Sequence, residues 1–169
     1  MEPRENQKRS EPNSLGRARW LALALSLLAA SGFALAVQTA WWKVAEVTVG
    51  PFGSRHCFGG HCRESGLSWI GGSDLWMRAA VASRAAGYIA MFALVLLAGA
   101  VAAKRIPVLI ARMSIVAILT AVVSGIYFFA AFPGLKEASL GLGGLFFTAA
   151  TIAGIAAAII VARAQPARR

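Results

Sequence analysis

The residues best suited to chemistry in this chain are two cysteines, which are flanked by two histidines and two arginines. Cys57 and Cys62 are its only cysteines. Both stand in one short string, Arg55-His56-Cys57-Phe58-Gly59-Gly60-His61-Cys62-Arg63. Two thiols placed in this way could close a structural disulfide, bind a metal together with the histidines, or carry out thiol–disulfide exchange.

The structural disulfide is the interpretation that the sequence favours. The cysteines fall in a segment that we expect to lie outside the cytosol, where thiols oxidise. Gly59-Gly60 between them lets the chain reverse tightly. In the chain-entropy model, closing so short a ring contributes about 2 kcal/mol.

The other two interpretations stay open. A metal site would use four nitrogen and sulfur ligands, His56, Cys57, His61 and Cys62, although structural zinc sites more often use separated Cys-x2–4-Cys pairs. For redox chemistry, the neighbouring cationic side chains could stabilise a thiolate. Quinone-linked disulfide-forming membrane enzymes use a Cys-x-x-Cys pair and usually a second pair, whereas this chain has one Cys-x4-Cys pair.

The elements that must position these residues are those of a membrane protein. Hydrophobic residues make up 58% of the chain and charged residues only 14%, against about a quarter in soluble domains. The net charge of +10 would suggest nucleic acid in a soluble protein. Here, however, the basic residues cluster at the ends of apolar segments, as cytoplasmic flanks do. We therefore expect one domain whose partner is the lipid bilayer and not nucleic acid.

Four apolar segments are each long enough to cross the hydrocarbon core, which takes about 20 helical residues. They predict an all-α membrane protein, a four-helix transmembrane bundle over residues 20–163. The spans are expected at about 20–40, 79–103, 112–132 and 139–162. Two tails flank this domain. Residues 1–19 form the first, which we expect to be disordered, and residues 164–169 form the second.

The long first external loop covers residues 41–78 and carries the cysteines. Val44, Val47 and Val49 show weak strand patterning there, so a small β-sheet is possible within it. The Gly50-Pro51 and Gly59-Gly60 pairs are turn signals.

The distribution of Lys and Arg predicts the orientation. Eleven of the 17 lie in the two tails and in the turn near Pro107, and at most six lie on the side of the cysteine loop. The positive-inside rule then places both termini in the cytoplasm, of either a bacterial inner membrane or a plasma membrane. A cleaved signal peptide over residues 1–36 is the alternative, but its apolar stretch exceeds the usual 7–15 residues or so.

Small residues at about four-residue spacing predict close packing of the helices. They are Ala22, Ser26, Ala30 and Ala34 in the first span, Ala117, Ala121 and Gly125 in the third, and Gly141, Gly144, Ala150, Gly154 and Ala158 in the fourth. No span carries Asp, Glu, His or Lys in its middle, and Arg84 lies close to a span end. This pattern argues against ion coupling, a proton relay or haem held between histidines, and we expect no cofactor.

Residues 41–79 carry one further pattern, in a definite order. Trp41 or Trp42 comes first, then Gly50-Pro51-Phe52, then Cys57 and Cys62, and then Arg78 at the start of the second span. With the four-span topology, this order resembles the claudin and peripheral-myelin-protein superfamily, whose first loop runs Trp, Gly-Leu-Trp-x-x-Cys, Cys and Arg. Phe replaces the second Trp here, its distance to the first cysteine is longer, and the gap between cysteines is shorter.

The resemblance implies an external sheet held by a Cys57–Cys62 disulfide, and lateral or adhesive contacts instead of catalysis. We therefore expect a non-enzymatic membrane scaffold that contacts lipids, other membrane proteins or a second copy. The expected external contact surface consists of Trp41, Trp42, Phe52, Phe58, Trp69, Trp76 and Arg78. Anchoring at the bilayer surface is the alternative for Trp41, Trp42 and Trp76. The alternative function is a membrane thiol–disulfide oxidoreductase that uses the cysteine pair.

Overall fold

The computed structural model describes residues 12–104 and 108–164. Its four α-helices are α1 (Pro12–Gln38), α2 (Asp74–Ala102), α3 (Val108–Ala130) and α4 (Leu142–Arg163). The strands are β1 (Trp42–Val44), β2 (Val47–Gly50), β3 (Gly53–Phe58), β4 (His61–Ser65) and β5 (Ser139–Leu140), and a short 3-10 helix covers Ser68–Ile70. The predicted tail residues 1–11 and 165–169, and the turn residues 105–107, lie outside the described residues.

Within the described ranges, four helices are long and apolar enough to cross a membrane. They are Gly16–Gln38, Asp74–Ala102, Val108–Ala130 and Leu142–Arg163, with apolar windows of mean hydropathy between 2.1 and 2.4. Their number and order agree with the four predicted segments.

The helix boundaries differ from the predicted ones. α1 covers Pro12–Gln38 and so includes residues 12–19 of the segment expected to be a disordered tail, where Arg19 is held by hydrogen bonds to the end of α2. α2 begins at Asp74 instead of 79, since the Ser73 hydroxyl accepts a hydrogen bond from the Trp76 N–H at 3.2 Å and caps the helix.

The other two helices also shift. α3 begins at Val108 instead of 112 and ends at Ala130. α4 begins at Leu142 instead of 139, because Ser139–Leu140 pair with β1 before the helix starts.

The bundle closes around small residues. α1 packs on α4 and α2, and α2 packs on α3. A side chain at Gly154 would meet all three other helices, with a Cβ 2.8 Å from Ile118 Cδ1 and 3.4 Å from both Ala29 Cβ and Leu94 Cδ1. Most of the small residues expected to mediate packing are buried, except Ala34, Gly141 and Gly144, which are half-buried. Because the residues at these contacts are small, the helix backbones approach each other closely, which is also how helices pack in lipid.

The sheet stands at one end of the bundle. Its five strands run antiparallel in the order β4-β3-β2-β1-β5. β5, which belongs to the connection between α3 and α4, joins β1 through the Trp42–Leu140 pair. The Gly141 N–H also donates to the Trp41 carbonyl at 2.8 Å, so the α1–α2 and α3–α4 connections form one structure.

Candidate functional site

The cysteines form the predicted disulfide in the β3–β4 hairpin. Cys57 and Cys62 face each other directly in the register, with their Cα atoms 4.1 Å apart. Gly59 and Gly60 make the two-residue turn, with φ of 54° and 85°. Both angles are left-handed, as in the turns that match the twist of a hairpin, which is why glycine suits both positions.

The structure does not favour the metal interpretation of this string. Both sulfurs are joined to each other, so neither is available as a thiolate. His56 and His61 lie on the opposite face of the hairpin from the sulfurs, because neighbouring residues of a strand alternate between faces. Across residues 12–104 and 108–164, no group of three or more His, Cys, Asp and Glu side chains could hold a metal.

The disulfide face of the hairpin carries an exposed ion pair. Arg55 Nη2 lies 2.7 Å from Glu64 Oε1, and these two residues are partners in the register two positions from the cysteine pair, on the same face. The Arg55 guanidinium also lies 5.6 Å from the centre of the Phe52 ring. Since both partners are solvent-exposed, the pair contributes at most about 1 kcal/mol. The ion pair places two charged side chains on the same face of the hairpin as the disulfide.

The other face of the hairpin packs on the 3-10 helix. Trp69 Nε1 donates to the Ser54 hydroxyl at 2.8 Å. That hydroxyl in turn donates towards the Ser65 and Gly66 carbonyls, at 3.2 and 3.0 Å. The His56 and Trp69 rings lie 4.8 Å apart. The hairpin is therefore held at its base, while its tip projects.

Two aromatic residues of the expected contact surface are exposed. Phe58, beside the glycine turn, is 80% exposed, and Trp69 is 47% exposed. Phe52 is half-buried and Arg78 is exposed on the first turns of α2. Arg78 borders an open groove between α2 and α3 of 650 Å³, together with Tyr127.

Three tryptophans do not belong to that surface, contrary to the expectation from the sequence. Trp41, Trp42 and Trp76 are 2%, 4% and 0% exposed. They form an aromatic cluster under the sheet with phenylalanines of α3, α4 and the loop after α3. Trp42 stacks on Phe132 with ring centres 4.3 Å apart and an angle of 8°, and the Trp41 and Phe147 centres are 5.2 Å apart.

Hydrogen bonding explains why two of these tryptophans turn inward. Trp41 Nε1 donates to the Ala36 carbonyl at 2.8 Å, near the end of α1. Trp76 Nε1 donates to the Phe128 carbonyl at 2.9 Å, near the end of α3. The last four carbonyls of a helix have no partner inside the helix. The indoles therefore satisfy carbonyls that would otherwise be buried and unpaired.

The opposite end of the bundle has a related arrangement that the sequence did not indicate. Arg19 of α1 donates from Nε and Nη2 to the Val101 carbonyl at 2.9 and 2.8 Å, and from Nη2 to the Ala102 carbonyl at 3.0 Å. These are the last carbonyls of α2. Beside them, Lys104 has a left-handed backbone with φ of 60°. From the sequence, Arg19 was only one of several basic tail residues.

Several hydroxyl groups inside the helices are hydrogen-bonded to their own helix. Buried Ser26 and Ser114 donate to carbonyls one turn earlier in their own helices, at 2.8 and 2.9 Å. Exposed Thr120 does the same at 3.0 Å. These hydroxyls satisfy themselves locally, whereas the buried Ser83 Oγ and Thr151 Oγ1 have no hydrogen-bond partner among the described residues. Arg84 is exposed on α2.

The geometry thus presents a cross-linked hairpin with an exposed aromatic tip above four apolar helices. Chemically, this arrangement offers an apolar contact surface and one disulfide. No protein-family model matches the chain, and no curated protein matches it either.

Proposed function

We propose that this chain is an integral membrane protein that crosses the bilayer four times and acts as a non-enzymatic scaffold or interaction protein of claudin-like type. Its external region, residues 41–78, would contact other membrane proteins, lipids or a second copy. The membrane part of the proposal rests on the four long apolar helices. Their outward faces carry large apolar side chains such as Leu28, Phe92 and Ile152, which are exposed in the isolated chain and suit contact with lipid.

The charge distribution supports an external sheet and cytoplasmic termini. All four acidic residues within the described ranges lie at the sheet end, namely Glu46, Glu64, Asp74 and Glu137. Eleven of the 17 Lys and Arg residues fall within residues 1–19, 104–112 and 163–169, towards the other end, and the remaining six lie at or near the sheet end. Basic residues collect at the cytoplasmic ends of transmembrane helices. This asymmetry fits either a bacterial inner membrane or a plasma membrane.

The claudin-like part of the proposal draws support from the arrangement of the first loop. A sheet above the bundle, with the cysteines on adjacent strands, is what the resemblance implied. The chain has no second cysteine pair to pass electrons onward, and the disulfide is held in a rigid hairpin. These features favour a shape-maintaining role over thiol–disulfide exchange.

The single observation that carries the scaffold role is the exposed tip of the hairpin. Phe58 is 80% exposed and projects from a cross-linked turn at the sheet end of the molecule. An aromatic side chain held rigidly in water suits binding, because burying one gains about 1.5–3 kcal/mol and little conformational entropy is lost.

The experiment places a photo-crosslinking amino acid at position 58 or 69. It is carried out in intact cells and in vesicles that contain only this chain. We expect protein adducts from positions 58 and 69 in cells, and dimer adducts in vesicles if the partner is a second copy. Lys136, exposed in the other external connection, is the control position. Adducts no more frequent from 58 and 69 than from 136 would contradict a contact role for this hairpin.

The same cells test the oxidoreductase alternative. A structural disulfide predicts that Cys57→Ser lowers the abundance of the chain. A catalytic one predicts normal abundance with loss of disulfide formation in partner proteins. That second outcome would overturn the scaffold proposal.

A further inference from the structure

We propose that the cleft between the start of α1 and the end of α2 binds the headgroup phosphate of an anionic phospholipid, with Lys104 as its charged ligand. The inference rests on the proposed insertion into a membrane, with this end in the cytoplasmic leaflet. The cleft has a volume of 310 Å³. Gly16, Arg19 and Trp20 line it from one helix, and Val101 and Lys104 line it from the other.

The backbone of Lys104 is the first observation. Its φ of 60° is left-handed, and its N–H donates to the Val101 carbonyl at 3.1 Å, which closes the end of α2. Glycine is the usual residue at such a position, because a Cβ there costs about 1–2 kcal/mol. A residue that keeps this strain at the wall of a cleft points to a role for its side chain.

Arg19 removes the main electrostatic objection. The C-terminus of a helix carries a partial negative charge of about half an electron, which repels anions. Here the Arg19 guanidinium donates three hydrogen bonds to the Val101 and Ala102 carbonyls. It covers the exposed carbonyl oxygens and adds a full positive charge at the same place. Arg19 is therefore a positioning residue that makes this helix end compatible with a phosphate.

The surroundings select a lipid over a free anion. Trp20 is 73% exposed at the cleft, and Leu23 also lines it. An indole near the start of an apolar span suits the headgroup level of a bilayer, where it can contact the glycerol and the first acyl carbons. Among the side chains that the structure describes at this end of the bundle none is acidic, so those that line the cleft bring only positive charge to an anionic headgroup.

The test compares lipid binding by the full chain, purified in detergent, using native mass spectrometry with phosphatidylglycerol and with phosphatidylcholine. Lys104→Asn removes the charge but keeps a residue that tolerates the left-handed backbone. We expect about fivefold weaker binding of phosphatidylglycerol, the effect of one lysine near an anionic headgroup, with phosphatidylcholine unchanged. Arg112→Gln, which removes a cation of α3 outside the cleft, is the matched control and should leave both lipids unaffected.

Three results would overturn the inference. Lys104→Asn could bind phosphatidylglycerol as the natural chain does. Both variants could weaken it equally, which indicates diffuse attraction. Millimolar inorganic phosphate could displace the lipid completely, which indicates a free-anion site.

Thermal unfolding in the same detergent must show that Lys104→Asn stays folded, and Lys104→Gly serves as a second uncharged variant if it does not. If an alkaline wash releases the chain from membranes, the proposed function itself fails. If the chain stays in the membrane after the wash but Lys104→Asn binds phosphatidylglycerol as the natural chain does, only the proposed phosphate site in the cleft is contradicted.

Discussion

The indole nitrogen of Trp76 donates a 2.9 Å hydrogen bond to the carbonyl of Phe128, and the two rings stack with their centres 5.2 Å apart. Trp76 belongs to α2 and Phe128 to the last turn of α3. Trp41 bonds a carbonyl at the end of α1 in the same way, and Arg19 of α1 bonds carbonyls at the end of α2. Side chains thus donate to carbonyls at the C-termini of three helices, where the helix itself offers no donor.

Replacing Trp76 by Phe tests the capping role. The substitution keeps an aromatic ring but removes the N–H, which leaves the Phe128 carbonyl buried without its donor. We expect the free energy of unfolding to fall by about 1–3 kcal/mol, the cost of an unsatisfied buried acceptor. Thermal or denaturant unfolding in detergent measures it.

Trp69→Phe is the matched control for that prediction. It removes an indole N–H that donates to the Ser54 hydroxyl at 2.8 Å, in a part-buried position. We expect a smaller loss, of about 0.5–1.5 kcal/mol, because water can reach the site. Equal losses for the two variants would contradict the special role of the buried bond.

These contacts show what the sequence can and cannot predict. The four apolar helices follow from composition over about 20 neighbouring residues, which is local information. The partner of the Trp76 indole is 52 residues away, and no periodicity reveals it. Tryptophans at span ends therefore suggested an exposed or interfacial role, whereas tertiary packing turns Trp41, Trp42 and Trp76 inward.

The sheet, too, could be predicted from the sequence only in part. The cysteine pair around Gly59-Gly60 predicted a tight reversal of the chain and a disulfide, because the turn residues and the cysteines are close in sequence. β5 could not be predicted, since Ser139–Leu140 is too short to show alternation and its partner Trp42 lies in another loop. The start of α1 was missed because the residues before Trp20 are polar, and the contacts of Arg19 with α2 appear only in the fold.

Gly154 provides a test of packing by small residues. Gly154→Val places new methyl groups against Ile118, Ala29 and Leu94, which approach a Cβ to 2.8–3.4 Å. Because these neighbours belong to the three other helices, no single movement relieves the clash. We expect destabilisation of about 1–3 kcal/mol, as for overpacked cores. Gly99→Ala is the control, since a Cβ there meets nothing within 4 Å. It should be neutral or slightly stabilising, and the two unfolding temperatures, measured in one detergent, should differ clearly.

The glycine turn of the hairpin gives a prediction that isolates the backbone. A Cβ at Gly60 would meet nothing within 4 Å, but its φ is +85°. Gly60→Val should therefore cost about 1–2 kcal/mol through backbone strain alone. Hydrogen exchange of the β3 and β4 amides should accelerate. Gly66→Ala, also in open space but without a left-handed φ, should leave that exchange unchanged. Faster exchange in both variants would contradict the explanation by strain.

Removing the disulfide is the last test, and it bears on both the fold and the proposed topology. The double variant Cys57→Ser/Cys62→Ser should lose about 2 kcal/mol of stability, the loop-closure contribution of so short a ring. The loss should fall on the hairpin, seen as faster exchange of β3 and β4, while the four helices keep their protection. Glu64→Gln, which breaks the exposed ion pair to Arg55 on the same face, is the control and should cost at most about 1 kcal/mol.

The natural chain can then be probed with a membrane-impermeant thiol reagent on intact cells. Because the cysteines are joined and we place them outside, labelling should appear only after an external reductant is added. Labelling without reductant means that the thiols are free. Labelling that requires permeabilised cells means that they face the cytosol. Either result contradicts an external hairpin held by its disulfide, since an exposed cysteine pair in the cytosol stays reduced.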